Sequence, residues 1–289
     1  MAPVAGSIRI VTDTTSCLPP EYAAAHDVEV VPQVVRFGQE SYLEEVELSY
    51  LEFIRRLRAS SELPSTAAPL PGDFVKAYAR QTAAAQTVLS IHPSTEVSGT
   101  VRSALTAKED SFFDADIRIL DTRTVAGNLA SMVKAAVEWA EAGVSADEIV
   151  TQLRAMIARG RIYFLVATLE YLQKGGRIGG ASALLGSALQ IKPILHFVDG
   201  RVEPFEKVRS HARALERLKE VVVQECPRTA EARLSVMHAD VPEEADALVA
   251  DLRGRLGIDS IPVYGVGSAI TTHAGPGTLA VGFFTNAEG

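Results

Sequence analysis

A buried strand, a hydroxyl-rich turn and the start of a helix follow one another within residues 87–104, and this order restricts the fold more than any other stretch of the chain. Val88, Leu89 and Ile91 form a short aliphatic run, which is typical of a strand buried on both faces. Pro93 ends the run because proline has no N–H group to donate to a sheet. Strands of this kind that lead into helices predict a mainly parallel sheet covered by helices.

The turn carries four hydroxyl side chains within seven residues, at Ser94, Thr95, Ser98 and Thr100, around Gly99. Free N–H groups and the dipole at a helix start attract an anion, and hydroxyl groups add donors for a carboxylate or a phosphate. The same residues also fit an ordinary cap, in which Ser98 closes the helix and the other hydroxyls shape the turn. The local pattern leaves both interpretations open.

The first 160 residues continue this alternation of short apolar strands and amphipathic helices, and capping boxes at Ser49 and Ser145 begin two of the helices. The pattern then changes, because Asp199 and Gly200 separate two extended runs and form a strong hairpin signal. The sequence therefore predicts an α/β protein of two domains. Residues 1–160 form a mainly parallel sheet flanked by helices, and residues 161–289 form an α+β domain with a mixed or antiparallel sheet.

Two further polar segments are predicted as loops. Residues 63–73 are rich in proline, which excludes a regular helix or a central strand and leaves Ser65 and Thr66 at the centre of a shaped loop. Residues 273–277 form a turn of Gly and Pro that contains His273. Residues 184–189 are predicted as a helix.

Charge and composition exclude several classes of function. The formal net charge is -8, whereas a nucleic-acid-binding protein needs a surplus of Lys and Arg. Cys17 and Cys226 lie far apart and are predicted to be reduced thiols. The N-terminal residues lack the pattern of a signal peptide, and no apolar run reaches the length of a membrane span. We therefore expect a cytoplasmic protein with no stable membrane insertion and no nucleic-acid partner.

Motifs for catalysis are weak. The chain contains no G-x-S-x-G elbow, no nucleotide-binding glycine motif and no pair of histidines at a metal-binding spacing, so we expect no metal and no cofactor. A small hydrolase or transferase that uses Ser98 or Thr95 with His273 remains an alternative function. A binder of another anionic amphiphile is a third. Taken singly, His273 also fits a structural role and Arg177 a charge at a helix C-terminus.

Seven motifs, in order along nearly the whole chain, resemble the DegV family. They are VTDTTSCLP at 11–19, LPSTAAPLPGDF at 63–74, STEVSGTVRSA at 94–104, LEYLQKGGRIGG at 169–180, LQIKPIL at 189–195, DGRVEPFEKVRS at 199–210 and ITTHAGPGTLAVGF at 270–283.

The resemblance implies a non-catalytic lipid carrier that encloses one long-chain fatty acid, such as palmitate, between its two domains. Family members hold the carboxylate on Ser and Thr hydroxyls, and several present it to a fatty-acid kinase that makes an acyl phosphate for phospholipid synthesis. The family loop T-S-Q-P corresponds to residues 66–69, where Ala67 and Ala68 replace two polar side chains. The loop S-S-x-x-S-G-T corresponds to residues 94–100, where Glu96 adds a charge that must point away from the carboxylate.

Site residues follow from this resemblance as expectations. The carboxylate-binding residues are Thr66, Thr95, Ser94, Ser65, Ser98, Gly99 and His273. The residues expected to line the acyl-chain tunnel are Ile91, Phe164, Leu185, Ile191 and Ile194. Arg177 and Arg209 are expected to dock the kinase.

Overall fold

The structure is a computed structural model that describes residues 4–185 and 191–286. Its strands are β1 Val4–Asp13, β2 Glu29–Val31, β3 Val34–Phe37, β4 Glu40–Leu43, β5 Ser65–Ala67, β6 Ala85–His92, β7 Asp116–Asp121, β8 Gly160–Leu165, β9 Ile194–Val198, β10 Arg201–Glu206, β11 Ser235–Ala239, β12 Val263–Gly265 and β13 Thr278–Phe284. Its α-helices are α1 Pro20–Ala25, α2 Tyr50–Ala59, α3 Pro71–Ala84, α4 Thr100–Ser111, α5 Ala126–Glu141, α6 Ala146–Arg159, α7 Glu170–Lys174, α8 His211–Glu225, α9 Pro242–Leu256 and α10 Ser268–Ala274.

The first sheet has four parallel strands in the order β2-β1-β6-β7. Aliphatic residues on one face, including Val11 and Val88, pack on α3 and α4. Residues on the other face, including Ile10, Leu89 and Ile91, pack on α5. Burial on both faces explains the continuous aliphatic run of β6, and the predicted mainly parallel sheet is confirmed.

A small third sheet has three antiparallel strands in the order β4-β3-β5. Its strand β5 contains Thr66 and lies in the segment that the prolines predict as a loop. The segment forms a strand because β5 is short, lies at the edge of the sheet and pairs only with β3, so Pro64 and Pro69 fall outside its ladder.

The second sheet has six strands in the order β10-β9-β8-β13-β11-β12. All pairs are antiparallel except β11 with β12, and the hairpin between β9 and β10 turns at Asp199 and Gly200 as predicted. One face packs on α8 and α9, and the other faces the first sheet. The α/β class, with a separate mixed sheet in a second domain, is therefore confirmed.

Helix α5 lies between the two sheets and contacts strands of both. Its side chains are buried around almost the whole helix, as expected for a helix without a solvent face. Gly127 lets the helix approach β11, since a Cβ atom there would lie 2.6 Å from Ser235 Oγ. The predicted domain boundary near residue 160 stays a prediction, and β8, the first strand of the second sheet, begins at Gly160.

Two elements differ from the expectations. His273 lies in the last turn of α10, where the sequence predicted only a Gly-rich turn. This helix has only seven residues, which is too short to show an apolar period in the sequence. Its stability comes from tertiary packing, because Thr271, Thr272 and their neighbours are buried. The helix predicted for residues 184–189 falls mostly on 186–190, which lie outside the described residues; a 3₁₀ helix ends at Leu184. Within the described ranges, every helix falls short of the length and apolarity of a bilayer span.

Candidate functional site

An apolar cavity lies between the two sheets, with α5 and α10 on its walls, and has an empty volume of about 990 Å³ including its mouth. Its apolar lining is Ala68, Pro93, Val97, Val125, Ala126, Ile162, Phe164, Leu172, Phe197, Val202, Met237, Val266, Ala269, Ile270, Ala274 and Ala280. Its polar lining is Thr15, Gln33, Thr66, Ser98, Arg177, His238, His273 and Thr278, with the backbone of Gly99.

Small residues on the inner face of the second sheet leave this space open. Successive residues of a strand face opposite sides, and β13 has Ala280 on the inner face but Leu279 and Val281 on the outer face. Ala126 and Ala269 approach the same cavity from α5 and α10. The cavity therefore results from side-chain size on one face of one strand and on the two helices that cover it.

The polar end of the cavity is organised around His273. Its Nε2 is 2.7 Å from Thr66 Oγ1, which joins the end of α10 to β5 across 207 residues of sequence. The ring also packs on Gly175, because a Cβ atom at that position would lie 2.2 Å from His273 Nδ1. Only glycine leaves room for the imidazole there, so Gly175 and Thr66 together set its orientation.

Arg177 lies two residues after Gly175 and is close to the same histidine. Its Nε donates to Val97 O at 3.0 Å, and its Nη1 donates to Gly175 O at 2.6 Å. Burial lowers the pKa of Arg177 below its usual value, yet a guanidinium remains a cation. The described residues give it carbonyl partners and no carboxylate partner, so a partly buried positive charge faces the cavity. Such a charge favours an anion.

The hydroxyl turn before α4 supplies the opposite side of this polar end. Ser98 Oγ is 2.8 Å from Thr100 Oγ1, and Gly99 lies against Ala68, which directly follows the strand that carries Thr66. Thr66, His273, Arg177, Ser98 and Gly99 therefore border one small region, which we call the head-group end.

A buried network of hydrogen bonds holds residues of the head-group end in place. Gln33 Nε2 donates to Thr100 Oγ1 and to Asp13 Oδ1, both at 2.9 Å. The Asp13 carboxylate also accepts hydrogen bonds from Thr15 Oγ1 at 2.6 Å and from the backbone N–H of Thr15. His92 Nδ1 lies 2.7 Å from its second oxygen. The position of the Ser98 hydroxyl is thus tied to side chains at the carboxyl ends of β1 and β6.

The protonation of His273 limits its chemistry. Burial lowers its pKa to about 4, and the positive charge of Arg177 acts in the same direction, so the imidazole is neutral near pH 7. Nothing in the described part of the chain hydrogen-bonds its buried Nδ1. A Ser-His-Asp triad needs an acid on that nitrogen to orient the base. The geometry around His273 therefore favours hydrogen bonding to a bound group over general-base catalysis.

The structure places three of the predicted carboxylate-binding residues outside the cavity lining. Ser94 is buried, and its Oγ donates to Gly200 O at 2.9 Å in the β9–β10 turn. Thr95 is exposed and donates to Asp121 Oδ2 at 2.6 Å. Ser65 is exposed and precedes Thr66, so it faces the other side of β5. Glu96 pairs with Arg201 at 2.6 Å, which directs its charge to the hairpin.

Of the five residues expected to line the tunnel, Phe164 lines the cavity. Ile91 is buried in the core beneath α5, and Ile194 faces α8 on the outer side of the second sheet, one residue from the inward-facing Leu195. Ile191 packs at the edge of the inner core, and the exposed fraction of Leu185 is 37%. These four are absent from the cavity lining.

The two arginines expected to meet a partner lie in different surroundings. Arg177 is on the cavity wall, whereas Arg209 is exposed in the segment between β10 and α8. Among the described residues there is no group of three or more potential metal ligands, and the structure leaves Cys17 and Cys226 as free thiols.

Sequence reasoning did not identify Gln33 or Ala280 as parts of the site, and it named Thr100 only as one of the four hydroxyls of the turn. The available signal for Gln33 was its place between two extended apolar segments, and the structure shows it buried, where an amide needs hydrogen-bond partners. Ala280 gave no signal, because an alanine in a buried strand is ordinary in any sequence.

Comparisons with known proteins point to one family. The model of the DegV family matches residues 7–286. A DegV domain-containing protein from Deinococcus radiodurans is 39% identical over 275 residues, which cover 95% of this chain and 97% of that protein.

Solved structures share the whole fold. A fatty-acid-binding DegV family protein from Thermus thermophilus superposes with a TM-score of 0.86 and 31% identity, covering 97% of this chain and 100% of the other. A stearic-acid-binding protein from Eubacterium ventriosum has a TM-score of 0.86 and 25% identity, covering 96% and 98% of the two chains.

Proposed function

Because the chain belongs to the DegV family, we propose that it binds one long-chain fatty acid in the cavity between its sheets. The carboxylate lies at the head-group end, and the acyl chain extends along the inner face of the second sheet. The protein then presents the carboxylate to a fatty-acid kinase in the cytoplasm, which makes an acyl phosphate, and it does not itself catalyse a reaction.

The observation that carries this proposal is the asymmetry of the cavity. One end has two hydroxyls, the backbone of Gly99, a neutral histidine and a partly buried arginine, whereas most of the remaining wall is aliphatic or aromatic. A carboxylate accepts several charge-assisted hydrogen bonds from such donors. Each buried methylene contributes about 0.8 kcal/mol, so a long alkyl chain offsets the cost of ordering the ligand.

We assign Arg177 to the head-group end, because its guanidinium lies on the cavity wall beside His273. Arg209 keeps the proposed docking role, since its side chain is exposed. A carrier of this kind needs no nucleophile of its own. The alternative hydrolase lacks support at His273, where no described acid orients Nδ1.

Thr66→Val should weaken fatty-acid binding by roughly 10-fold to 100-fold, because it removes one charge-assisted hydrogen bond worth about 1.5–3 kcal/mol. Thr95→Val is the matched control: it makes the same chemical change at an exposed threonine that bonds Asp121, so affinity should stay at the wild-type value. Affinity is measured by calorimetric titration with palmitate, and mass spectrometry of the organic extract measures the fatty acid retained after native purification.

Three outcomes would contradict the proposal. Wild-type protein that neither retains nor binds any fatty acid would exclude the carrier function. Equal losses in the two threonine variants would place the carboxylate away from Thr66. Turnover of simple ester substrates, lost in Ser98→Ala, would favour the hydrolase instead.

Arg209→Ala should slow acyl-phosphate formation by a cognate kinase at low salt while leaving the bound fatty acid in place. Docking charges act mainly on association rate and on its salt dependence. Arg154→Ala, which removes an exposed arginine of α6, is the control and should leave the rate unchanged. The measurement is the initial rate of acyl-phosphate formation at several salt concentrations. Loss of lipid from Arg209→Ala with a normal rate per bound lipid would remove Arg209 from the docking surface.

A further inference from the structure

The cavity has a head and a tail whose order follows from strand register. β13 begins at Thr278, just after the helix that carries His273, and Leu279 pairs with Leu165. Three residues further along, Gly282 pairs with Ile162. At about 3.4 Å per residue, Ile162 lies roughly 10 Å farther from the head-group end than Leu165 does.

Ile162 and Phe197 form a wall at this far end. In the β8–β9 pair, Tyr163 lies opposite His196, so the next residues along the two strands, Ile162 and Phe197, are also neighbours. Both side chains line the cavity, and the Phe197 ring lies 6.2 Å from the ring of Phe164 between centroids.

A second cavity adjoins the same two residues. Ile162 and Phe197 line both spaces, and they are the residues that the two linings share. Its apolar surface comes from Met132, Ile157, Val198 and Phe284. Its polar surface includes Arg123 and Arg161.

We infer that Ile162 and Phe197 set the longest acyl chain that this protein holds, by closing the tail end of the cavity. The second cavity is the space that a longer chain enters when the wall is shortened. This inference rests on the proposed function, since it concerns the tail of the same ligand. The Phe197 ring is only partly buried, so it faces open space that a shorter side chain would join to the cavity.

Polar groups beyond this wall form a second barrier to a longer apolar tail. Beyond the wall the lining includes Arg123 and Arg161, whose Nη atoms donate to backbone carbonyls. The terminal methyl group of an acyl chain gains little binding free energy from contact with these arginines. It gains more only if it reaches the apolar surface behind them. Chain length is therefore limited by an apolar wall and then by a polar rim.

The test measures affinity for palmitic, stearic, arachidic and behenic acids in Phe197→Ala and in wild-type protein. Each additional buried methylene is worth about fourfold in affinity. We expect Phe197→Ala to bind behenic acid at least about tenfold more tightly than wild-type protein does, with palmitic acid affected less. Phe205→Ala is the matched control, because that ring packs on Tyr163 on the outer side of the sheet. Its length preference should equal that of wild-type protein.

The outcomes separate this inference from the proposed function. If wild-type protein binds none of the four acids, the carrier function itself fails. If wild-type protein binds palmitic acid and Phe197→Ala keeps the same length preference, the wall does not set chain length. If Phe197→Ala does not fold, Ile162→Ala is used on the same series, and an unchanged preference there equally overturns the inference.

Discussion

Ala280→Leu should weaken palmitate binding by close to a hundredfold without lowering the stability of the ligand-free protein. The alanine lies on the inner face of β13 opposite Phe164, and its side chain borders the cavity. Leucine would add three carbon atoms to a space that the acyl chain otherwise occupies. Displacing about three methylenes costs on the order of 2.5 kcal/mol of binding free energy. In the ligand-free protein the same atoms fill a void, so the free energy of unfolding should stay equal or rise.

Ala239→Leu is the matched control for this substitution. Ala239 lies on the same inner face, in β11, but it is fully buried in the packed core and absent from the cavity lining. Leucine there should cost about 1–3 kcal/mol of stability, because a packed interior has no room for it. Urea unfolding and calorimetric titration with palmitate measure the two effects. Normal binding by Ala280→Leu would mean that the acyl chain avoids the inner face of β13.

Asp13→Ala should destabilise the protein by about 3–5 kcal/mol, the range for removing one partner of a buried, hydrogen-bonded polar group. The side chains of Asp13 and His92 are both 0% exposed. Removal of the carboxylate leaves donors on Thr15, Gln33 and His92 without their acceptor in the protein interior. Unsatisfied buried donors carry the full cost of their desolvation.

Asp147→Ala tests whether the loss of stability expected for Asp13→Ala depends on the burial of the carboxylate. Its carboxylate pairs with Arg118 on the surface and its side chain is 91% exposed, so the substitution should cost less than about 1 kcal/mol. Urea unfolding at neutral pH compares the two variants. Similar losses for Asp13→Ala and Asp147→Ala would show that the buried network adds little to stability. Because Gln33 connects Asp13 to Thr100, we also expect weaker palmitate binding in Asp13→Ala.

Most of the secondary structure can be predicted from short segments of the sequence taken one at a time. Buried aliphatic runs such as residues 88–91 form strands of a parallel sheet, and the side chains of Ser49 and Ser145 act as N-caps of α2 and α6 by accepting hydrogen bonds from backbone N–H groups of the first turn. Asp199 and Gly200 form the turn of the β9–β10 hairpin, at positive φ angles of 48° and 79°. These features depend on hydrogen bonds and dihedral preferences of neighbouring residues, which do not need the rest of the chain.

Sequence reasoning also predicted three polar segments, and one residue or more from each lines the same cavity: Ser98 with Gly99 from the hydroxyl turn, Thr66 from the proline-rich loop and His273 from the Gly-Pro turn. It did not identify which hydroxyl within a stretch faces inward. Thr66 and Ser65 are adjacent, as are Leu195 and Ile194, and each pair has one member on each side of a strand. A shift of one residue exchanges the faces of a strand, and only the packed sheet shows which face covers the cavity.

The α/β class, most of the strands and helices and the polar segments of the site can be predicted from the sequence alone, because local hydrogen bonding and apolar period depend on neighbouring residues. The position of α5 between the sheets and the contact of His273 on α10 with Thr66 are evident only in the folded protein. The same holds for Ala280, which leaves space for a ligand, and for Ala239, which does not. A cavity is the space that several distant elements leave unfilled, so its volume is not a property of any single segment.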